Sequence, residues 1–206
     1  MTAAHRWVLG QVLDQYDQVE AARTPVEERS TQEVERSPDP CVPEAVQRLD
    51  TIPGVGEPVA QSIVAASGVA MSRFPTDHHR ASGAGMGPGN TESAGKPKSG
   101  KTSKGSRYVR AALVQAAGAA RHPKGTYLAA QYKRVVKRRG KKKALVAVGH
   151  SMLVIGYHGL QTRTQYQDWG GDYCDRRNVD KQRKRLMRQL EALGVKVTVE
   201  EVKEAA

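Results

Sequence analysis

Apolar positions along the chain fall into blocks with a helical period. In residues 4–22, Trp7, Leu9, Val12, Leu13, Tyr16 and Val19 recur near the spacing of one helix face. The triplet Arg23-Thr24-Pro25 predicts a stop or kink, because proline lacks the amide and disfavours a helical residue before it. A polar segment, 26–37, then runs into Ser37-Pro38-Asp39-Pro40, a linker. This arm cannot bury itself alone, so the pattern predicts an αα-hairpin or a coiled-coil arm. Short helices are expected at 43–49 and 58–67. Residues 106–121, rich in Ala with Val109, Leu113 and Val114, predict a close-packed buried helix. Residues 125–139 carry Leu128, Tyr132, Val135 and Val136 on one face. Residues 143–160 are apolar almost all round and predict the central helix of a bundle. A charged helix is expected over 172–193, and alternation over 195–202 predicts a short terminal strand. The fold expected is mainly α: an arm and linker over 1–46, and a helical body over 47–206.

Charge divides at the same place. The chain of 206 residues has a formal net charge of +12. Residues 1–50 hold five basic and ten acidic side chains, a net of −5, which leaves +17 for the remainder. An acidic arm joined to a strongly basic body predicts a polyanionic partner, DNA or structured RNA, bound through phosphates. Aromatics make up 5% of the chain, too few for an aromatic-rich β-sandwich. The two cysteines, Cys41 and Cys174, lie far apart, which excludes a zinc ribbon or a disulfide scaffold and fits a reducing compartment. Residues 1–10 contain His5 and Arg6 and no long apolar run, so no secretory signal is expected. The most apolar stretch, 144–160, is interrupted by Gly149, His150, Gly156 and His158, and no membrane span is expected. Together these give a cytoplasmic, nucleoid-associated protein as the expectation.

Three segments carry candidate chemistry. Leu49-Asp50-Thr51-Ile52-Pro53-Gly54-Val55-Gly56, followed by Ala60 and Ile63, is a helix-hairpin-helix pattern spanning 49–67. Gly54 and Gly56 permit positive φ and close approach of backbone amides to a phosphate, with the next helix offering its N-terminal dipole. The same glycines also suit a tight packing turn. Residues 83–105 predict a long loop rich in Gly, Ser and Lys, holding Ser93, Lys96, Lys98, Lys101 and Lys104. It does not fit a P-loop, since Gly95-Lys96 is followed by Pro97 and no apolar strand precedes it. Such a loop suits either a serine nucleophile with lysines offsetting phosphate charge, or a flexible basic loop on DNA. The third segment is the basic run from Lys133 to Lys143, which includes Lys137 and Arg138. Basic bundle helices are expected over 106–206, with Arg107 and Arg110 at their start. His150 and His158 are expected as packed core residues, and no metal site is expected from the histidines.

Several motifs occur in a fixed order: Leu49 through Gly56, Phe74-Pro75-Thr76, Ala84 through Asn90, Glu92-Ser93-Ala94-Gly95-Lys96, Lys104 through Arg110, and Lys143 through Val148. The set resembles the C-terminal transposase domain of the insertion-sequence one-ten (one-sixteen, nine-oh-two) family, from about Leu49 to the C-terminus. Residues 4–22 resemble the coiled-coil segment upstream of it. The resemblance implies a serine that attacks DNA, here Ser93, completed by a ribonuclease-H-like domain with four metal-binding carboxylates on another protomer. It also implies a bridge RNA that chooses target and donor DNA. That acidic domain is missing from this chain, so the chain is expected to be a truncated transposase.

The expected function is DNA transposition by serine-mediated cleavage and strand transfer, dependent on a partner. Ser93 is the catalytic candidate. Gly54, Gly56, Lys96, Lys98, Lys101, Lys104, Arg107, Arg110, Lys137 and Arg138 are the nucleic-acid-binding candidates. No cofactor is expected in the chain itself; magnesium is implied only through the partner's acidic domain. The partners expected are DNA, a bridge RNA, and either a second copy or a full-length transposase. The rival reading is a non-catalytic nucleic-acid-binding fragment, decayed or regulatory.

Overall fold

The computed structural model describes residues 1–89, 91–99, 101–176 and 179–194. The expected strand over 195–202 lies outside them. The fold is mainly helical. Helix α1 (Ala3–Glu35) precedes α2 (Cys41–Asp50) and α3 (Glu57–Ser67). A 3₁₀ turn (Met71–Arg73) leads into α4 (Asp77–Gly83), then a short hairpin of β1 (Thr91–Ser93) and β2 (Lys96–Ser99). Helices α5 (Arg107–Ala120), α6 (Tyr127–Arg139) and α7 (Lys141–Thr162) complete the body. Beyond it lie α8 (Tyr173–Arg176) and α9 (Val179–Ala192), both within the segment 172–193 expected as a charged helix.

Helix α7 is the central element, as its apolar pattern predicts, and α2, α4, α5 and α6 all pack on it. Small residues permit this close approach. A Cβ on Gly149 would press on the Leu113 carbonyl of α5 at 3.1 Å, and one on Gly156 on Leu49 of α2 at 2.8 Å. The core between these helices is built from Leu49, Ile52, Leu113, Leu128, Val148 and Met152.

Helix α1 departs from expectation. It runs unbroken through Pro25, with no buried residue over 33 positions. One lost backbone bond costs about 3 kcal/mol inside a helix. Around the proline, Arg23 pairs with Glu20 at 2.6 Å and Glu27 at 3.5 Å, and the Thr24 hydroxyl donates to the Glu20 carbonyl. The helix is then tied to α3 at its C-terminal end. Ser30 donates to Gln61 Oε1 at 2.6 Å, Gln61 donates to Thr31, and both Thr31 and Gln61 donate to Glu57. The rest of α1 projects from the body. Leu9, Val12, Tyr16, Val19 and Val26 keep the alternating three- and four-residue spacing of a coiled-coil seam, with Arg23 in register, and all five apolar side chains are exposed.

Candidate nucleic-acid interface

The segment expected as a long loop is an ordered hairpin on a narrow neck. The register pairs Ser93 with Lys96, Glu92 with Pro97 and Thr91 with Ser99, and a bulge between Thr91 and Glu92 falls opposite the stretch holding Lys98. Ala94 and Gly95 form the turn, with φ of 51° and 71°. Two central residues with positive φ match the twist of a two-residue hairpin. Glycine accepts this freely, whereas alanine there costs roughly 1 kcal/mol. Ser93 is therefore the last residue before the tip, and Lys96, exposed, the first after it. At the neck, the Gly89 amide donates to the Lys101 carbonyl at 2.9 Å and the Ser103 amide to the Gly87 carbonyl at 3.1 Å. A Cβ on Gly89 would overlap the Lys101 carbonyl, and one on Gly105 the Gly85 amide nitrogen. Glycine is required at this crossing because two backbones occupy the space of a side chain.

The packing orients everything else. Leu113 meets Gly149, whereas the α2–α3 turn meets both Ala116 to Ala120 of α5 and Gly156 of α7. Helices α5 and α7 therefore run side by side in the same direction. Their N-terminal ends share one end of the body with the hairpin neck, since Met86 also touches Gly149. At that end Lys104 and Arg107 are exposed and Arg110 is half-buried. There too α6 closes with Lys137, Arg138 and Arg139, and α7 opens with Lys141, Lys142 and Lys143 across Gly140. Six of the seven residues 137–143 are cationic. Among the described residues none of these six has an ion-pair partner. Lysines in a first helical turn oppose the helix dipole, so α7 gains nothing from them internally, while an external anion gains from both.

The α2–α3 turn lies at the opposite end. Gly54 has φ of +85°, and a Cβ there would overlap the Ala116 carbonyl and meet the Ala120 nitrogen at 2.8 Å. It is held by packing against α5. Gly56 has φ of −74° and an open surround, so positive φ is needed at Gly54 alone. The structure thus brings together the hairpin lysines, Arg107, Arg110, Lys137 and Arg138, and keeps Gly54 and Gly56 apart from them.

The histidines are not the core residues expected. His158 is exposed and lies 4.0 Å from Asp77, and His150 is half-buried, its ring stacked 6.5 Å from that of His78. Both sit where α7 faces α4. Burial lowers the pKa of His150, which a backbone hydrogen bond with Met86 and the Asp77 charge partly offset and His78 reinforces. Residues 83–105, which hold Ser93, contain no histidine. Among the described residues no cluster of three His, Cys, Asp or Glu side chains is placed to hold a metal ion.

Tyr108 belongs to the basic end and had no role in the sequence reading. It is 70% exposed, with the Arg107 guanidinium 4.9 Å over its ring and donating to its hydroxyl at 2.9 Å. Its signal was an aromatic between two arginines, the interleaving that suits stacking beside phosphate contacts.

Residues 46–133 match the Transposase IS116/IS110/IS902 family. The match runs from α2 through the hairpin and α5 into α6, under half of the chain, and stops before the basic junction at Gly140. It supports a transposase domain in this segment and, coarsely, a transposase function and interaction with DNA. No curated protein matches the chain. Among the described residues no helix is long and apolar enough to cross a membrane.

Proposed function

We propose that this chain is a serine-type transposase component in which Ser93 attacks a DNA phosphodiester. The observation that carries the reading is Ser93 at the lip of a two-residue turn, paired in register with Lys96, on a hairpin rooted at the basic end. In the step, the Ser93 oxygen forms a bond to phosphorus and loses its proton. The ester bond to one DNA oxygen breaks, and that oxygen leaves with a proton. The strand is held as a phosphoserine ester, and attack by a DNA hydroxyl reverses the chemistry and joins strands. Lys96, Lys98, Lys101, Lys104, Arg107 and Arg110 offset the phosphate charge, and Lys137 and Arg138 extend the track. The turn at Gly54 and Gly56 would meet a separate stretch of backbone through the amides ahead of α3. A bridge RNA, a second copy paired through α1, and a nucleoid location complete the proposal, and residues 47–206 form its body.

The test is complementation. The isolated chain is expected not to cleave DNA, because residues 83–105 hold no histidine or cysteine to act as a base near neutral pH. Mixed with a full-length relative whose own serine is mutated, it should restore strand transfer, and Ser93→Ala should not. Equal rescue by Ser93→Ala would remove Ser93 from the mechanism. It would leave the second reading, a non-catalytic binding fragment, which the lack of a histidine within residues 83–105 favours.

A further inference from the structure

A groove of about 950 Å³ runs along the face of α7 that looks toward α4 and the segment after α7. Its volume lies in the range of ligand sites. The aromatic residues at one part of its lining have a particular order. The Trp169 indole stacks on Tyr173, with centroids 4.6 Å apart and planes 26° apart. Tyr127 stands 5.8 Å from Trp169 and 5.7 Å from Tyr173, nearly perpendicular to both. A ring equidistant from two stacked rings lies beside the stack and not on its end. The outer face of Trp169 is therefore free of other rings, and the residue is 52% exposed.

That position is held firmly. Asp168 accepts from the Tyr127 amide at 3.0 Å, the Gly170 amide at 2.7 Å and the Tyr166 hydroxyl at 3.1 Å. The Trp169 carbonyl accepts from Arg176 at 2.9 Å. A large apolar ring kept half in water by this much local bonding needs a reason. Elsewhere the lining carries His78 and His150, and the Nδ1 of His150 is buried without a hydrogen-bond partner. An open ring face in a groove of this size fits a flat ligand. Cations stand beside the stack: Lys124 next to Gly125, whose carbonyl lies 3.3 Å from where a Cβ on Gly171 would stand, and Arg176, which also pairs with Asp172 at 2.9 Å.

We propose that this groove is a subsite for an unpaired nucleobase, stacked on the outer face of Trp169 with its neighbouring phosphates toward Arg176 and Lys124. The choice of ligand rests on the nucleic-acid reading above. A stacked base recognises single strands, bulges or flipped nucleotides, and a duplex offers it no free face. The subsite is separate from the hairpin and gives the protein a means of holding a strand that has left its helix.

The test uses the full chain with Trp7→Phe, so that Trp169 is the remaining tryptophan. Short single-stranded deoxyribo- and ribo-oligonucleotides of one mixed sequence, and the DNA duplex of that sequence, are titrated at low and moderate salt. Single strands should quench Trp169 fluorescence to saturation, and whichever sugar binds more tightly names the source of the base. Trp169→Ala should weaken single-strand binding by about 5- to 150-fold, the range for losing one stacked base. Trp169→Tyr, which keeps a ring face, should recover most of it, and duplex affinity should stay within about twofold. Circular-dichroism melts of each variant report folding. Absence of a quench, equal quench by duplex, or a folded Trp169→Ala that binds single strands like the parent would overturn the subsite. If the duplex still bound with steep salt dependence, the function proposed above would be untouched by that failure. A single-strand quench without any duplex binding would uphold the subsite and count against that function.

Discussion

Arg80 is the one strongly basic side chain sealed inside the described body, 2% exposed on α4. Its Nη2 donates to the Ser67 hydroxyl at 2.9 Å, while Nε and Nη1 are buried without partners. Burial lowers its pKa to about 10. It stays charged at neutral pH, and the lowered value means that the folded state resists that charge. The penalty, on the order of 3 kcal/mol, is present at neutral pH and fades only as the pH rises above 10. Replacing a buried charge by an apolar side chain of similar length is often neutral or stabilising by about 1–4 kcal/mol. Arg80→Met should therefore leave stability unchanged or raised in urea unfolding at pH 7. A loss of more than about 2 kcal/mol would show that the guanidinium has a partner, a bound water or anion.

At the scale of elements, the hairpin neck and helix α5 make opposite demands on glycine. At Gly105 a Cβ would overlap the Gly85 and Gly83 backbone, whereas at Gly118 it would meet nothing within 4 Å. Gly105→Ala should destabilise the protein by about 1–3 kcal/mol and open residues 85–105 to proteases. Gly118→Ala, inside α5, should stabilise by about 0.5–1 kcal/mol. Urea melts and limited digestion of the pair check both. The same contrast explains what could be read from sequence. Helices α5, α6 and α7 were legible because their apolar faces repeat with the helical period, and burial by neighbours enforces that period. The hairpin was not, because glycines in a composition count look like slack. Their role is visible only where two backbones cross, between residues distant in the pattern. The stop expected at Pro25 rests on a local rule, whereas the bonds of Ser30, Thr31 and Gln61 that tie the C-terminal end of α1 to α3 join residues far apart in the sequence. His150 and His158 lie on an apolar helix, yet the groove, absent from any one-dimensional pattern, keeps them out of the core. Ser93 is singled out by motif order alone, since the sequence pattern gives no turn around it.

For the whole molecule, α1 is an exposed seam without a cover in one copy. Its acidic side chains outnumber its basic ones by seven to three, and the seam itself is apolar except at Arg23. Self-association follows, with a dimer expected in sedimentation at tens of micromolar. Val12→Glu combined with Val19→Glu should give a monomer without loss of body stability, since neither residue is buried. A monomeric parent would sink the pairing. The arm also sets a length. At about 1.5 Å per residue its 33 residues reach roughly 50 Å. Along B-DNA, at about 3.4 Å per base pair, that is close to 15 base pairs. Two copies paired antiparallel along their arms would hold their hairpins on duplex segments separated by about that span, and a parallel pair would set them side by side. The arm would then act as a ruler: shortening it by whole heptads should move the preferred spacing between two bound sites by about three base pairs for each heptad removed.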